Sequence, residues 1–287
     1  MFNKRHIVRT IAATVSILAL SFTAACGSGQ STASNSTDSD DITQQTYKPG
    51  KLTIATGQPA YEPRVMNDKP ESGEGYEAAV AYAVADKLGF KKSDVVWTRT
   101  AFDTAIAPGA KDWDFNIQQF GITDERKKAV DFSSSYYNDS QSVVVKKDSK
   151  FANATKVSDL KDATVGVMVG TLAYDYAKAN IKDDIQTFND DAALAQALDA
   201  GQIDALVTST VECVYMVQSE QVKDAKVLGR LPDSEDKSGM GIVLPKDSKL
   251  TAAVTKAVDD LNADGTIKKL QDKWLAEYTT DLTELKK

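Results

Sequence analysis

Arg126 stands in the run FGITDERKKAVDFSSSYY, residues 120–137, where Thr123 and Asp124 are residue types that open a helix. A helix starting there puts Arg126 in its first turn, where the positive end of the macrodipole disfavours a cation by about 0.3–1 kcal/mol. An arginine in that place is either a solvated surface group beside Lys127 and Lys128 or one that holds an anion, and the residues alone fit both readings. A second anion-competent feature is the turn at Gly170 and Thr171, between the apolar run ATVGVMV and the helix-forming TLAYDYAKAN. Free backbone N–H groups at such a turn bind anions and a glycine lets a ligand approach closely; a plain turn capped by Thr171 is the alternative. The sole histidine is His6. Once an N-terminal leader is removed, a His-based triad and a His-containing zinc site are excluded, while carboxylate chemistry stays open.

The elements that must position these residues alternate between strand and helix. LTIAT reads as a strand, YEAAVAYAVADKLG as a helix stopped by Gly89, and VVWTR and DFNIQ as further strands. After SVVVKK a second unit repeats the order: ATVGVMVG, TLAYDYAKAN, IQTF, DDAALAQALDAG and IDALVT. KSGMGIVLPKDS and the helices TAAVTKAVDDLNADG and TIKKLQDKWLAEY follow, and the simplest arrangement returns them to the first unit. This predicts an α/β fold of two lobes, residues 49–142 plus 230–280 and residues 143–229, with crossings near Gln141 to Lys146 and near Lys226 to Arg230. Two extended crossings suggest a hinge with a cleft between the lobes.

The first 25 residues run from Lys4, Arg5 and Arg9 through an apolar stretch to Thr23, Ala24 and Ala25, the pattern of a secretory leader. They end at Cys26, and the motif resembles a bacterial lipobox, apart from Thr23 where a leucine is usual. That resemblance implies an acylated (palmitate-bearing) Cys26, an extracytoplasmic location and a lipid anchor in the membrane. The polar tract after it cannot build a core, and residues 26–48 read as a tether with a reach of roughly 25 Å. Cys213 is then the only cysteine of the body, so no internal disulfide is expected, and its apolar setting reads as core. The formal charge of −7 becomes more negative without the leader and argues against nucleic acid as a partner.

Five runs, GITDERKKAVDFSSSYY, VGVMVGTLAYDYAK, AALAQALDAGQIDALVT, MGIVLPKDS and DGTIKKLQDKWL, carry a resemblance in their order and spacing. The chain from about Lys51 to Glu277 resembles the extracytoplasmic solute-binding proteins of ABC importers, polar amino-acid family. The resemblance implies two lobes closing on one free amino acid that is passed to a membrane permease, with no cofactor, no metal and no catalysis, in a monomer. It implies that Arg126 binds the ligand α-carboxylate, for which its planar fork is suited. It assigns Gly170 and Thr171 to the same carboxylate and Tyr61 and Phe102 to the walls around the ligand side chain, with Phe120 beside the cleft.

The sequence departs from that pattern at Gln119, Phe120 and Gly121, where the family usually has Gly-Met-Thr, and at Gly57 and Ser209, where acids commonly hold the α-ammonium. A second acid is also lost in the run Gly75 to Ala79. The amine site is therefore open, with Glu212, Glu62, Gln118 and Gln119 as candidates. An enzyme on the same scaffold, a carboxylate-based dehydratase or lyase, and a ligand-sensing module are the competing function classes.

Overall fold

The computed structural model describes residues 41–279 and 282–287; the expected leader and Cys26 lie outside the described residues. Among the described residues, ten strands run in chain order: β1 (Leu52–Thr56), β2 (Val95–Arg99), β3 (Phe115–Asn116), β4 (Val130–Tyr137), β5 (Gln141–Lys146), β6 (Val165–Met168), β7 (Gln186–Phe188), β8 (Ala205–Ser209), β9 (Ala225–Arg230) and β10 (Met240–Pro245). Seven helices accompany them: α1 (Tyr76–Lys87), α2 (Phe102–Ile106), α3 (Leu172–Asn180), α4 (Asp191–Asp199), α5 (Thr210–Gln218), α6 (Thr251–Ala263) and α7 (Thr266–Trp274). The strands form two five-stranded sheets, β2-β1-β3-β10-β4 and β7-β6-β8-β5-β9.

The two orders are the same plan. In each sheet three parallel strands are followed by one antiparallel strand that arrives from the other lobe, β10 in the first and β5 in the second. β1 and β8 are buried along their whole length, as a strand must be when helices cover both sheet faces. Apolar side chains of α1, α6 and α7 close over the first sheet, with Val80, Val84, Val254, Val258 and Leu261 fully or almost fully buried. The second sheet has a core on each face, one around Val165, Val167 and Ala177 and the other around Leu194, Leu198 and Leu206.

The crossings sit beside the segments the sequence suggested for them. Gln141–Lys146 and Ala225–Arg230 are strands of the second sheet, and the chain passes between lobes at residues 138–140 and 231–239. These connectors are fastened to each other: Asp236 N donates to the Asp139 carbonyl at 3.0 Å and Leu231 N to the Gln141 carbonyl at 2.8 Å. The helix expected from Thr123 is a single 3-10 turn, Arg126–Lys128, with Arg126 N donating to Thr123 Oγ1 at 3.1 Å. The turn ends there because Val130 already belongs to β4.

Both chain ends of the described body are tied down. Residues 41–48, read in the sequence as the end of a tether, lie on the first lobe: Asp114 accepts from Tyr47 N and Thr53 N, each at 2.6 Å. After α7 the chain returns to the second lobe, where Leu285 N donates to the Arg230 carbonyl at 2.9 Å and the Leu285 side chain enters the core. The tail thus bridges a lobe it does not follow in sequence. Leu285→Ala should cost about 2–4 kcal/mol, the penalty of a large-to-small change at a buried site. Urea unfolding followed by circular dichroism checks this, and a loss below about 0.5 kcal/mol would mean the tail is only laid on the surface.

Candidate functional site

A cavity of about 110 Å³ lies between the lobes, walled by the loop after β1, the segment 118–121 before β4, both connectors, the first turns of α3 and α4 and the end of β8. A single water needs roughly 10–15 Å³ measured this way, so the space suits on the order of ten non-hydrogen atoms. The walls are the carboxyl ends of parallel strands and helix N-termini, the places where an α/β sheet leaves unpaired backbone donors.

Arg126 projects into this space from the 3-10 turn. Its Nη1 donates to the Gly121 carbonyl at 2.6 Å and its Nη2 to the Gly170 carbonyl, in the other lobe, at 2.8 Å. The guanidinium lies 5.5 Å from the centre of the Phe102 ring. No carboxylate among the described residues pairs with it; burial lowers its pKa, and Asp175 and Asp236 oppose this only through space. Three of its five N–H donors remain for something else.

The Thr171 hydroxyl is used within the protein, donating to the Met168 carbonyl at 2.8 Å and accepting from Tyr174 N at 3.2 Å as the cap of α3. What the turn offers the cavity is backbone: Leu172 and Ala173, in the first turn of α3, line it. Gly170 gives Arg126 its carbonyl and does not itself line the cavity. A Cβ on Gly121 would stand 2.5 Å from Leu172 Cδ1, across the cleft, and 2.7 Å from Asp236 Oδ2, so a side chain at 121 would require both of these to shift.

Tyr61 and Phe102 line the cavity. The Tyr61 hydroxyl accepts from Ala192 N at 3.4 Å across the cleft. Phe120 is not a wall: it is fully buried behind Phe102, ring centres 4.7 Å apart, and fixes that ring from the core side. Ser209 lines the cavity, but its hydroxyl caps α5 by accepting from Glu212 N at 3.5 Å and also bonds Asp139.

The acids are where the sequence reading falls short. Glu212 is committed to the protein, accepting from Arg64 Nε at 3.1 Å and, with the Gln119 amide turned toward it, from Gln119 at 2.9 and 3.3 Å. Glu62 is outside the cavity and accepts from Asn67 N and Tyr215. Gln118 is in the wall with its Oε1 buried and without a donor. Asp190, Asp191 and Asp236 all line the cavity with no ion pair among the described residues: Asp190 and Asp236 accept from backbone N–H groups, with Asp236 Oδ2 left buried and unpartnered, whereas Asp191, the first residue of α4, has the Thr208 hydroxyl at 3.4 Å as its side-chain contact. Burial first, and the charge of Glu212 second, push its carboxyl up to about 7. Asp190 beside it does the capping, accepting from Ala193 N at 2.8 Å. The signal was the Asp-Asp pair itself, one acid more than a cap requires. It is faint, because acids in a first turn are also favoured by the helix dipole.

A sequence profile of the bacterial extracellular solute-binding proteins, family 3, matches residues 52–277. The L-arginine-binding protein of Pseudomonas aeruginosa is 29% identical over 245 residues, 80% of this chain and 88% of its own. The L-cystine-binding protein TcyJ of Escherichia coli K12 is 31% identical over 209 residues, 72% of this chain and 76% of its own. Among solved structures, an ancestral arginine-binding protein bound to arginine superposes with a TM-score of 0.67 at 31% identity, over 78% of this chain and 98% of that one. An ancestral amino acid-binding protein described as a precursor of cyclohexadienyl dehydratase gives 0.66 at 30%, over 79% and 96%. The profile spans both sheets and every cavity wall described above, and with two hinged lobes of equal strand order around a charged cleft, the chain belongs to the bacterial extracellular solute-binding proteins, family 3.

Proposed function

We propose that this protein binds a free polar amino acid in the cleft, unchanged, and delivers it as a monomer to the permease of an ABC importer. The observation that carries the reading is a pair of complementary charges left open in one cavity: Arg126 without a carboxylate and Asp191 without a cation. A zwitterion answers both at once. Its α-carboxylate takes the free donors of Arg126 and the first-turn N–H groups of α3, and its α-ammonium takes Asp191. The names of the relatives, for arginine and for cystine, support an amino acid as the cargo. The sequence motifs at Cys26 support a lipid anchor on the extracytoplasmic face of the membrane, with the body held by the polar tract; among the described residues no helix is long and apolar enough to cross a membrane.

The competing reading is an enzyme, favoured by one observation, a cleft carboxyl poised near neutrality, which is also what proton transfer requires. Incubating protein with the amino acid it binds and analysing the mixture by mass spectrometry separates the two: recovery of the ligand unchanged supports the receptor, and steady conversion supports the enzyme.

Arg126→Ala should weaken calorimetric binding by about 2–5 kcal/mol while leaving the unfolding temperature of the free protein nearly unchanged. Retention of affinity within about threefold would reassign the carboxylate site.

Affinity should also depend on pH through Asp191. An ionised partner for the ammonium has to be made by releasing a proton below pH 7, so affinity rises by up to about tenfold per pH unit from acid pH toward 7 and levels off above it. The sign for the empty protein is the reverse. A carboxyl whose folded pKa lies above its unfolded value contributes stability at low pH and loses it as pH rises through about 7. Asp191→Asn should therefore stabilise the free protein at pH 8 by about 1–3 kcal/mol, change little at pH 4 and abolish tight binding. A flat affinity profile across that range would exclude Asp191 as the ammonium partner. For the anchor, Cys26→Ser should move the protein from the membrane fraction to the soluble one, and a variant that stays with membranes after a salt wash would refute it.

A further inference from the structure

Arg64, in the loop between β1 and α1, is 1% exposed and yet lines the cleft. Its Nε donates to Glu212 at 3.1 Å and its Nη2 to Asp139 at 3.4 Å. The guanidinium carbon lies 4.6 Å from the centre of the Tyr137 ring and 5.8 Å from that of Tyr76, within cation–π range of both. Glu77 faces it from α1. Its backbone is clamped as well. The Arg64 carbonyl accepts from Glu77 N at 2.9 Å, and a Cβ on Gly75 would stand 2.5 Å from that same oxygen.

Carboxylates on two sides and aromatic faces over the plane are what a protein would build to hold a free guanidinium ion. These groups come from the first lobe (Glu77, Tyr76, Tyr137), the connector (Asp139) and the second lobe (Glu212), so they converge only where the cleft is. The acids have other donors too: Glu77 accepts from Tyr136 and Gln119 N, Asp139 from Ser140 N, and Glu212 from the Gln119 amide. The one cation among them is Arg64.

We propose that Arg64 determines the specificity of the cleft: the chain's own guanidinium occupies a cation site at the cleft wall, so the protein takes amino acids with short, uncharged side chains and rejects those ending in a guanidinium. This deepens the amino-acid reading and rests on it. A ligand guanidinium has no vacant acid at this wall, because Arg64 is already there and is held by the chain. Displacing Arg64 would bury it unpaired, a change that costs several kcal/mol.

The test compares the wild type with Arg64→Ala by calorimetry against L-serine, L-asparagine, L-glutamine, L-methionine, L-lysine and L-arginine, and by thermal unfolding in low-millimolar guanidinium chloride against equal sodium chloride. The wild type should bind at least one uncharged amino acid about a hundredfold more tightly than L-arginine. Arg64→Ala should gain about tenfold or more for L-arginine and be stabilised by guanidinium but not by sodium, while the wild type responds to neither. Wild-type affinity for L-arginine equal to that for the best uncharged ligand would overturn the proposal, as would a folded Arg64→Ala that gains neither L-arginine nor guanidinium. Should Arg64→Ala fail to fold even with guanidinium present, the wild-type panel alone decides. If the wild type binds no amino acid at all, it is the amino-acid reading that fails, and this proposal falls with it.

Discussion

Burying the Arg64 guanidinium between the lobes removes several kcal/mol of hydration that only charged partners can restore. Glu212 and Asp139 supply part of that compensation from the second lobe and the connector, so a residue of the loop after β1 is ion-paired only when the lobes are together, with its Nη1 still buried and unpartnered. Gln119 joins the same network through Glu212 and, by its backbone, through Glu77, and Ser209 joins it through Asp139. Most of the polar residues at the back of the cleft thereby answer one another. Arg126 and Asp191, in the same cavity, are left out of that network, and this division between charges the chain satisfies and charges it leaves open gives the cleft its function.

The hinge permits such a division. Two connectors, residues 138–140 and 231–239, are the covalent links between β4 and β5 and between β9 and β10, and hydrogen bonds tie each to the other. The C-terminal return of Leu285 to the second lobe adds a further link behind the cleft.

Much of the architecture was legible because periodicity and turn residues are local signals. The buried run LTIAT, the helix YEAAVAYAVADK and the return of β10 to the first sheet follow from pattern and chain order. That Arg126 and the Thr171 turn share a cavity was within reach of the sequence, since both belong to contiguous motifs. The free acid was not. Asp191 looks like any acid in a first turn until α4 is packed against Thr208, and Glu212 looks free until Arg64 arrives from a position 148 residues away. Phe120 failed for the complementary reason: residues 119 and 120 are adjacent in sequence, but one faces the cleft and the other the core. Contacts between distant segments decide which titratable groups are spent, and sequence adjacency carries no record of them.

The same contacts bear on what a ligand has to do. Even without one, the lobes are joined by Arg126 to the Gly170 carbonyl, by Ala192 N to Tyr61, by Tyr215 to Glu62 and by Arg64 to Glu212. A ligand shifts an equilibrium between open and closed forms only by its difference in affinity for the two. The contacts that the protein makes to itself without a ligand bear on the starting population, and a ligand adds to them only through the charges left open. Arg126, on the first lobe, and Asp191, on the second, can be answered together by one small zwitterion only when the walls are close, because the two groups of an amino acid are fixed on a single carbon. On the reading proposed above, a molecule that carries both charges at that spacing favours closure more than one that carries a single charge, which would make the α-amino acid unit, rather than the side chain, the switch.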